Sequence, residues 1–351
     1  MQTTLMEQEA REVPQLIAQQ IKANAGVLHK LSEKLQKKPP KYALTIGRGS
    51  SDHACTYAKY LLETNLGLIT ASAAPSVVTV YNAQLKMKDA LVIGVSQSGR
   101  SPDICAMMEV ARNDGAITVA IVNDTNSPLA QTAEFLVPMY AGEERAIAAT
   151  KSYITALSAL AQLTAVYANN KKLLADLMQL PAILAQALDL SWTDAVAEFS
   201  NINTTLVVAR GFGFPIAQEA ALKFKETSAI QAEAFSAAEI LHGPFALIKK
   251  NHPYLLFAQI DATLAGTLEL AKKITALGGR VILAIARNAP IPPAELKKIA
   301  AVILPLPHSL DAILDPIMTI QAFYPMVAQL AVARGFNPDS PENLKKITET
   351  F

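Results

Sequence analysis

Apolar residues along the chain gather into short runs separated by longer stretches with helical spacing. YALTIG (42–47), ALVIGVS (90–96), ITVAIVND (117–124) and EFLVPM (134–139) have the length of strands, and turn residues lie close to each. Between the second and third runs, Ile104, Met107, Met108 and Ala111 repeat at the interval of one helix face. That helix has a start and a stop, with Ser101 as N-cap, Pro102 at the first helical position and Gly115 at the C-terminal end. Alternating strand and helix predict an α/β fold in which a parallel sheet is flanked by helices on both faces.

The order then recurs in TLVVARG (205–211), PYLLFAQI (253–260), RVILAIAR (280–287) and AAVILPLP (300–307). Arg48-Gly49 and Arg210-Gly211 are 162 positions apart, and Leu91 and Leu255 are 164 apart. So steady an offset predicts an internal duplication of one α/β domain. The expected organisation is a helical arm over 1–30, a first domain over 31–180, a second over 181–336 and a tail over 337–351.

Composition narrows the classes of function. The chain has 351 residues, 51% of them apolar and 17% charged, which suits two buried cores and not a disordered chain. With 31 Lys+Arg against 30 Asp+Glu the net charge is +1, so no nucleic-acid partner is expected. Mean hydropathy is +0.24, but the most apolar windows, 153–168 and 317–333, are interrupted by Thr155, Ser158, Gln162, Gln321 and Pro325. They read as buried helices, and no membrane partner is expected. Cys55 and Cys105 sit inside apolar helical patterns and read as core packing, with no metal site. The start, MQTTLMEQEAREV, places acids before any apolar run, unlike a secretory signal, so a cytoplasmic location is expected.

In an open parallel sheet, ligands bind beyond the carboxyl ends of the strands. Gly47-Arg48-Gly49-Ser50-Ser51-Asp52 follows the first run, but Asp52 stands where a dinucleotide fingerprint needs its third glycine. Ser96-Gln97-Ser98-Gly99-Arg100-Ser101 leads from a strand straight into a helix N-terminus. It combines hydroxyls, an amide and unpaired backbone N–H groups, a cradle suited to a phosphate monoester. Over 214–244, Glu219, Lys223 and Glu226 fall on one helix face, which by itself reads as a solvated ion-pair stripe. His242 follows in a His-Gly-Pro turn and completes a set of groups able to move protons near neutral pH. The polar tail DSPENLKKITETF, with Lys345 and Lys346, reads by itself as a solvated end.

Together the SQSG cradle, the GxGSS turn, the duplicated domain and the run ALKFKETSAIQAEAFSAAEILHGP resemble the sugar isomerase (SIS) domains of glucosamine-6-phosphate synthase, over nearly the whole chain. The resemblance implies two tandem flavodoxin-like SIS domains and no cofactor. It implies that Ser96, Gln97, Ser98 and Ser101 hold the phosphate and that Ser51 contacts the sugar. Glu226 would move a proton between C1 and C2. His242 would assist ring opening, reaching in from a neighbouring subunit of a homodimer whose active site lies near the interface. Lys223 would tune Glu226 or contact the substrate, Lys346 would form an imine with the open-chain keto sugar, and Glu144 would line the same pocket.

Two departures stand out: Arg100 replaces an acid of the family pattern, and Ala149 replaces a serine, removing one sugar contact. No glutaminase segment with its nucleophilic cysteine precedes the resemblance. The expectation is therefore the reverse reaction, as in the SIS-type deaminases: glucosamine 6-phosphate is isomerised and hydrolysed to fructose 6-phosphate and ammonia. An isomerase of another sugar phosphate, a fructosamine-phosphate deglycase and a non-catalytic sugar-phosphate sensor are the alternatives.

Overall fold

The computed structural model describes residues 3–346, so the first two residues of the expected arm and 347–351 of the expected tail lie outside the described residues. The chain divides into two compact units. Of the described residues, one comprises Glu12–Glu144, Ala149–Pro181 and Lys345–Lys346; the other comprises Thr3–Arg11, Arg145–Ala148 and Ala182–Leu344. Helices α1 (Leu5–Lys37) and α7 (Lys171–Leu188) run across the division.

The first unit carries strands β1 (Tyr42–Ile46), β2 (Thr70–Ser72), β3 (Ala90–Ser96), β4 (Ile117–Val122) and β5 (Phe135–Pro138). They form one parallel sheet in the order β2-β1-β3-β4-β5. Every residue of β3 and β4 is buried, as expected of central strands covered on both faces. Helices α2 (Ser50–Leu66) and α6 (Lys151–Tyr167) pack together on the sheet. The short α3 (Ser76–Thr79), α4 (Pro102–Asn113) and the short α5 (Pro128–Thr132) form a second group. Ile104, Met107, Met108 and Ala111 of α4 are buried against Val92, Ala120 and Val122. Both windows that raise the mean hydropathy are core helices: α6 is buried along nearly its whole length, and 83% of the apolar window of α12 (Asp315–Ala333) is buried inside the protein.

The second unit repeats the plan. Strands β6 (Thr204–Ala209), β7 (Gln231–Ser236), β8 (Pro253–Ala258), β9 (Arg280–Ala286) and β10 (Val302–Leu306) are parallel in the order β10-β9-β8-β6-β7, the first sheet's order read from its other edge. Register repeats too: Ala43 pairs with Leu91 in the first sheet and Val207 with Leu255 in the second, so both partners shift by 164 positions. Beside the sheet lie α8 (Thr193–Phe199), α9 (Phe214–Ser228), α10 (Leu264–Ala276), α11 (Pro293–Ile299) and α12. Phe224 of α9 and Phe323 of α12 meet edge to face at 5.4 Å, which joins those two helices.

The turn from β1 into α2 is unusually close. A Cβ on Gly47 would lie 2.7 Å from the backbone carbon and oxygen of Ser51 and 2.8 Å from the nitrogen of Asp52. Backbone cannot swing aside as a side chain can, so only glycine fits without moving the helix. Gly47→Ala is expected to cost about 1–3 kcal/mol of stability by this overpacking. Thermal unfolding of the variant checks it, and an unchanged melting temperature would contradict the close approach.

Candidate active site

The carboxyl ends of β1 and β3 lie side by side in the first sheet, and the loops that follow them enclose a cavity of about 360 Å³. Ser51, Ser96, Gln97, Ser98, Ser101, Ala149 and Lys346 all line it, together with Arg48 and Ser50. Seven residues spread over nearly 300 positions of sequence thus meet in one place, all within one compact unit.

The cradle is held by its own backbone. Gly99 has φ of +63°, and its N–H donates to Ser96 Oγ at 3.0 Å. A Cβ on Gly99 would sit 2.1 Å from Ser127 Oγ, so the loop can press against the following turn only as glycine. Arg100 N–H donates to Ser98 Oγ at 3.4 Å, and Leu129 N–H donates to the Gly99 carbonyl at 3.1 Å. Ser101 occupies the N-cap position of α4 with extended backbone, but its side chain makes no capping bond. The hydroxyl expected to cap the helix is thereby available to a ligand, next to the positive end of a 12-residue helix. Cys105 packs against the hydrophobic core of the first unit, as expected, and also touches the cradle. It is half-buried, and its thiol donates to the Gly99 carbonyl at 3.6 Å from beneath the cradle. Burial and the Asp103 charge push this thiol above its ordinary range, so it stays protonated near neutral pH.

Lys346 reaches the cavity from the tail. Its Nζ lies 3.0 Å from Oε2 of Glu144, a residue whose side chain is fully buried. Oε1 of Glu144 accepts the backbone N–H groups of Thr150 and Ser152, and Oε2 also accepts the Ser152 hydroxyl at 2.7 Å. Burial pushes the Glu144 carboxyl up, but the Lys346 ammonium and these hydrogen bonds outweigh it and hold the group below its usual range. The tail segment up to Lys346 is therefore fastened at the cavity, contrary to the reading of a solvated end.

Glu219, Lys223 and Glu226 belong to α9 in the other unit. The reading as a solvated stripe is overturned, because Glu219 and Lys223 are fully buried. Lys223 Nζ lies 3.2 Å from Glu219 and 2.5 Å from Glu226, and the Tyr324 hydroxyl donates to Glu219 at 3.2 Å. Burial alone would strip the proton from Lys223. The two carboxylates outweigh it and keep the ammonium charged, above its ordinary value. Glu226, about a fifth exposed, is the member of this chain that reaches solvent. His242 is exposed in a short 3-10 turn, Glu239–His242, and its side chain makes no hydrogen bond or ion pair among the described residues.

Arg48, to which no local pattern points, also lines the cavity. Its guanidinium donates through Nε and Nη2 to Oδ2 of buried Asp103, at 3.0 and 2.7 Å. The one available signal was its place in the first turn after β1. Arg100, the departure from the family pattern, turns to Asp124 at 2.7 Å and does not line the cavity. Among the described residues no group of three or more His, Cys, Asp or Glu is placed to hold a metal ion.

Residues 38–166 and 198–333 each match the model of the SIS domain family. The chain belongs to the SIS domain family. It is similar to the glutamine–fructose-6-phosphate aminotransferase (isomerizing) of Brucella abortus biovar 1 (strain 9-941), with 32% identity over 311 residues, covering 85% of this chain and 50% of that protein. The chain spans about half the length of the aminotransferase relatives it matches. Among solved structures it is similar to a proposed phosphosugar isomerase from Silicibacter pomeroyi DSS-3, with 38% identity, a TM-score of 0.89, and coverage of 96% of this chain and 100% of that one. A glucosamine-6-phosphate deaminase from Thermotoga maritima aligns with a TM-score of 0.73 over 95% of this chain and 100% of its own, and at 22% identity it bears on the SIS fold alone.

The Glu144 pair sets a pH expectation. A carboxyl held below its unfolded value stabilises the protein above that value, and the contribution is lost as pH falls through the folded one. Glu144→Gln is expected to lower stability by about 1–3 kcal/mol at pH 7. The gap should close as pH falls below the ordinary carboxyl value of 4.5. Melting temperatures of both proteins across pH check this, and a gap that does not vary with pH would contradict it.

Proposed function

We propose that the protein is a glucosamine-6-phosphate deaminase, which turns glucosamine 6-phosphate and water into fructose 6-phosphate and ammonia. The observation that carries the reading is the Lys346 amine in the same cavity as the hydroxyl and amide cradle. Proton transfer between C1 and C2 alone needs no amine, whereas an amine able to form an imine at C2 belongs to the exchange of amino sugar and keto sugar. The cradle holds the phosphate with neutral donors and a helix N-terminus, so the sugar enters its site without a basic surface.

The steps balance without a cofactor. Ring opening gives an aldehyde at C1. A base removes the C2 proton and returns it to C1, which oxidises the C2 amine to an imine as C1 becomes an alcohol. Water then adds to the imine and ammonia leaves, either directly or after exchange with Lys346. Glu226 is the proposed carrier of the proton, with Lys223 holding its carboxylate in place, and His242 is proposed to assist ring opening from the neighbouring subunit of a homodimer. Ser51 and the wall at Ala149 are proposed to receive the sugar, and the cytoplasm is the proposed location.

Isomerisation of another sugar phosphate without deamination is the second reading, favoured by the likeness to the phosphosugar isomerase structure. Ammonia release from glucosamine 6-phosphate, measured with a coupled assay, separates the two. The expected outcome is stoichiometric ammonia and fructose 6-phosphate, reduced about 10²–10⁴-fold in Glu226→Gln. Turnover of another sugar phosphate with no ammonia would overturn the deaminase reading, and activity within tenfold in Glu226→Gln would overturn the proton carrier.

A further inference from the structure

We propose that Arg48 is the charged donor of the phosphosugar cavity and that Asp103 is its positioning residue. This rests on the reading of the cavity as the phosphate site.

The turn at Gly47 brings the start of α2 hard against the end of β1 and leaves Arg48 at the mouth of the sheet, where it crosses to the first turn of α4. There Asp103 is 1% exposed, with Oδ1 accepting the N–H of Ile104 at 2.8 Å and Oδ2 accepting both Nε and Nη2 of Arg48. Two donors on one buried oxygen hold the guanidinium in a single direction. Its Nη1 makes no hydrogen bond among the described residues, the side chain is half-exposed, and Arg48 lines the cavity beside Ser96, Ser98 and Ser101.

Charge explains why the pair is needed. Asp103 is a buried carboxylate in the first turn of the helix whose N-terminus faces the cradle, and unpaired it would repel a phosphate dianion. Arg48 cancels that charge and turns its remaining N–H donors toward the ligand. The pair is neutral in sum yet strongly directional, which fits a site on a chain of net charge +1. Arg100 has the same side-chain exposure, but its ion pair with Asp124 lies off the cavity, so of these two arginines the role falls to Arg48.

The test compares binding of fructose 6-phosphate by the full chain, using calorimetry, in wild type, Arg48→Ala/Asp103→Asn, Arg48→Lys and Ser98→Ala. The double variant removes the donor and the opposing charge together. Its dissociation constant is expected to rise about 10–100-fold, the loss of a charged hydrogen-bond donor. Arg48→Lys keeps the ion pair to Asp103, and with it the fold, but not the fork. It is expected to raise KM for glucosamine 6-phosphate about tenfold with kcat within about threefold, a split that a purely structural role would not produce. If the double variant binds like wild type while Ser98→Ala binds weakly, Arg48 only offsets Asp103, and this inference falls while the phosphate reading stands. If neither the double variant nor Ser98→Ala is weakened, the cavity is not the phosphate site and both readings fall together.

Discussion

A carboxylate with no exposure to water must have its charge answered inside the protein, and Glu144 is answered four times. Two backbone N–H groups and a hydroxyl at the start of α6 fix where that helix begins. The beginning of α6 in turn sets Ala149 as a wall of the cavity. The fourth partner, Lys346, is 202 positions away in sequence, so the same carboxylate fastens the tail beside the cradle. That contact sets the amine of the tail in the cavity, beside the hydroxyls of the β3 loop.

The two units show how far a shared scaffold can differ in chemistry. Both sheets have the same strand order and the same register at corresponding positions. Beyond β3, however, the chain offers Ser96, Gln97 and Ser98, whereas beyond β8 it offers Gln259, Ile260 and Asp261. Hydroxyls at a helix N-terminus suit a phosphate and a carboxylate repels one, so two copies of one scaffold present ends of different chemistry.

Much of this is legible in the sequence itself. The buried central strands announce themselves as unbroken apolar runs, and SQSG against a Pro-started helix marks the cradle. The short edge strand β2 and the mixed-polarity edge strand β7 were missed because an edge strand needs neither length nor apolar continuity. The burial of Glu219 and Lys223 was equally hidden. Their spacing is that of any surface ion pair, and only Tyr324 and Phe323, arriving from α12, show that the stripe faces inward. Arg48 was passed over for a related reason, since its partner Asp103 lies 55 positions further on and nothing local signals the contact. Long-range pairing decides all three, and periodicity carries no record of it.

The central claim is that Lys346 acts on a sugar carbonyl held by the cradle. Borohydride reduction of the protein in the presence of fructose 6-phosphate, followed by peptide mass spectrometry, tests it most directly. The account predicts one reduced hexose-phosphate adduct per chain, on Lys346, absent when the cradle is disabled by Ser98→Ala. An adduct on another lysine, or none from a preparation that releases ammonia at full rate, would contradict it.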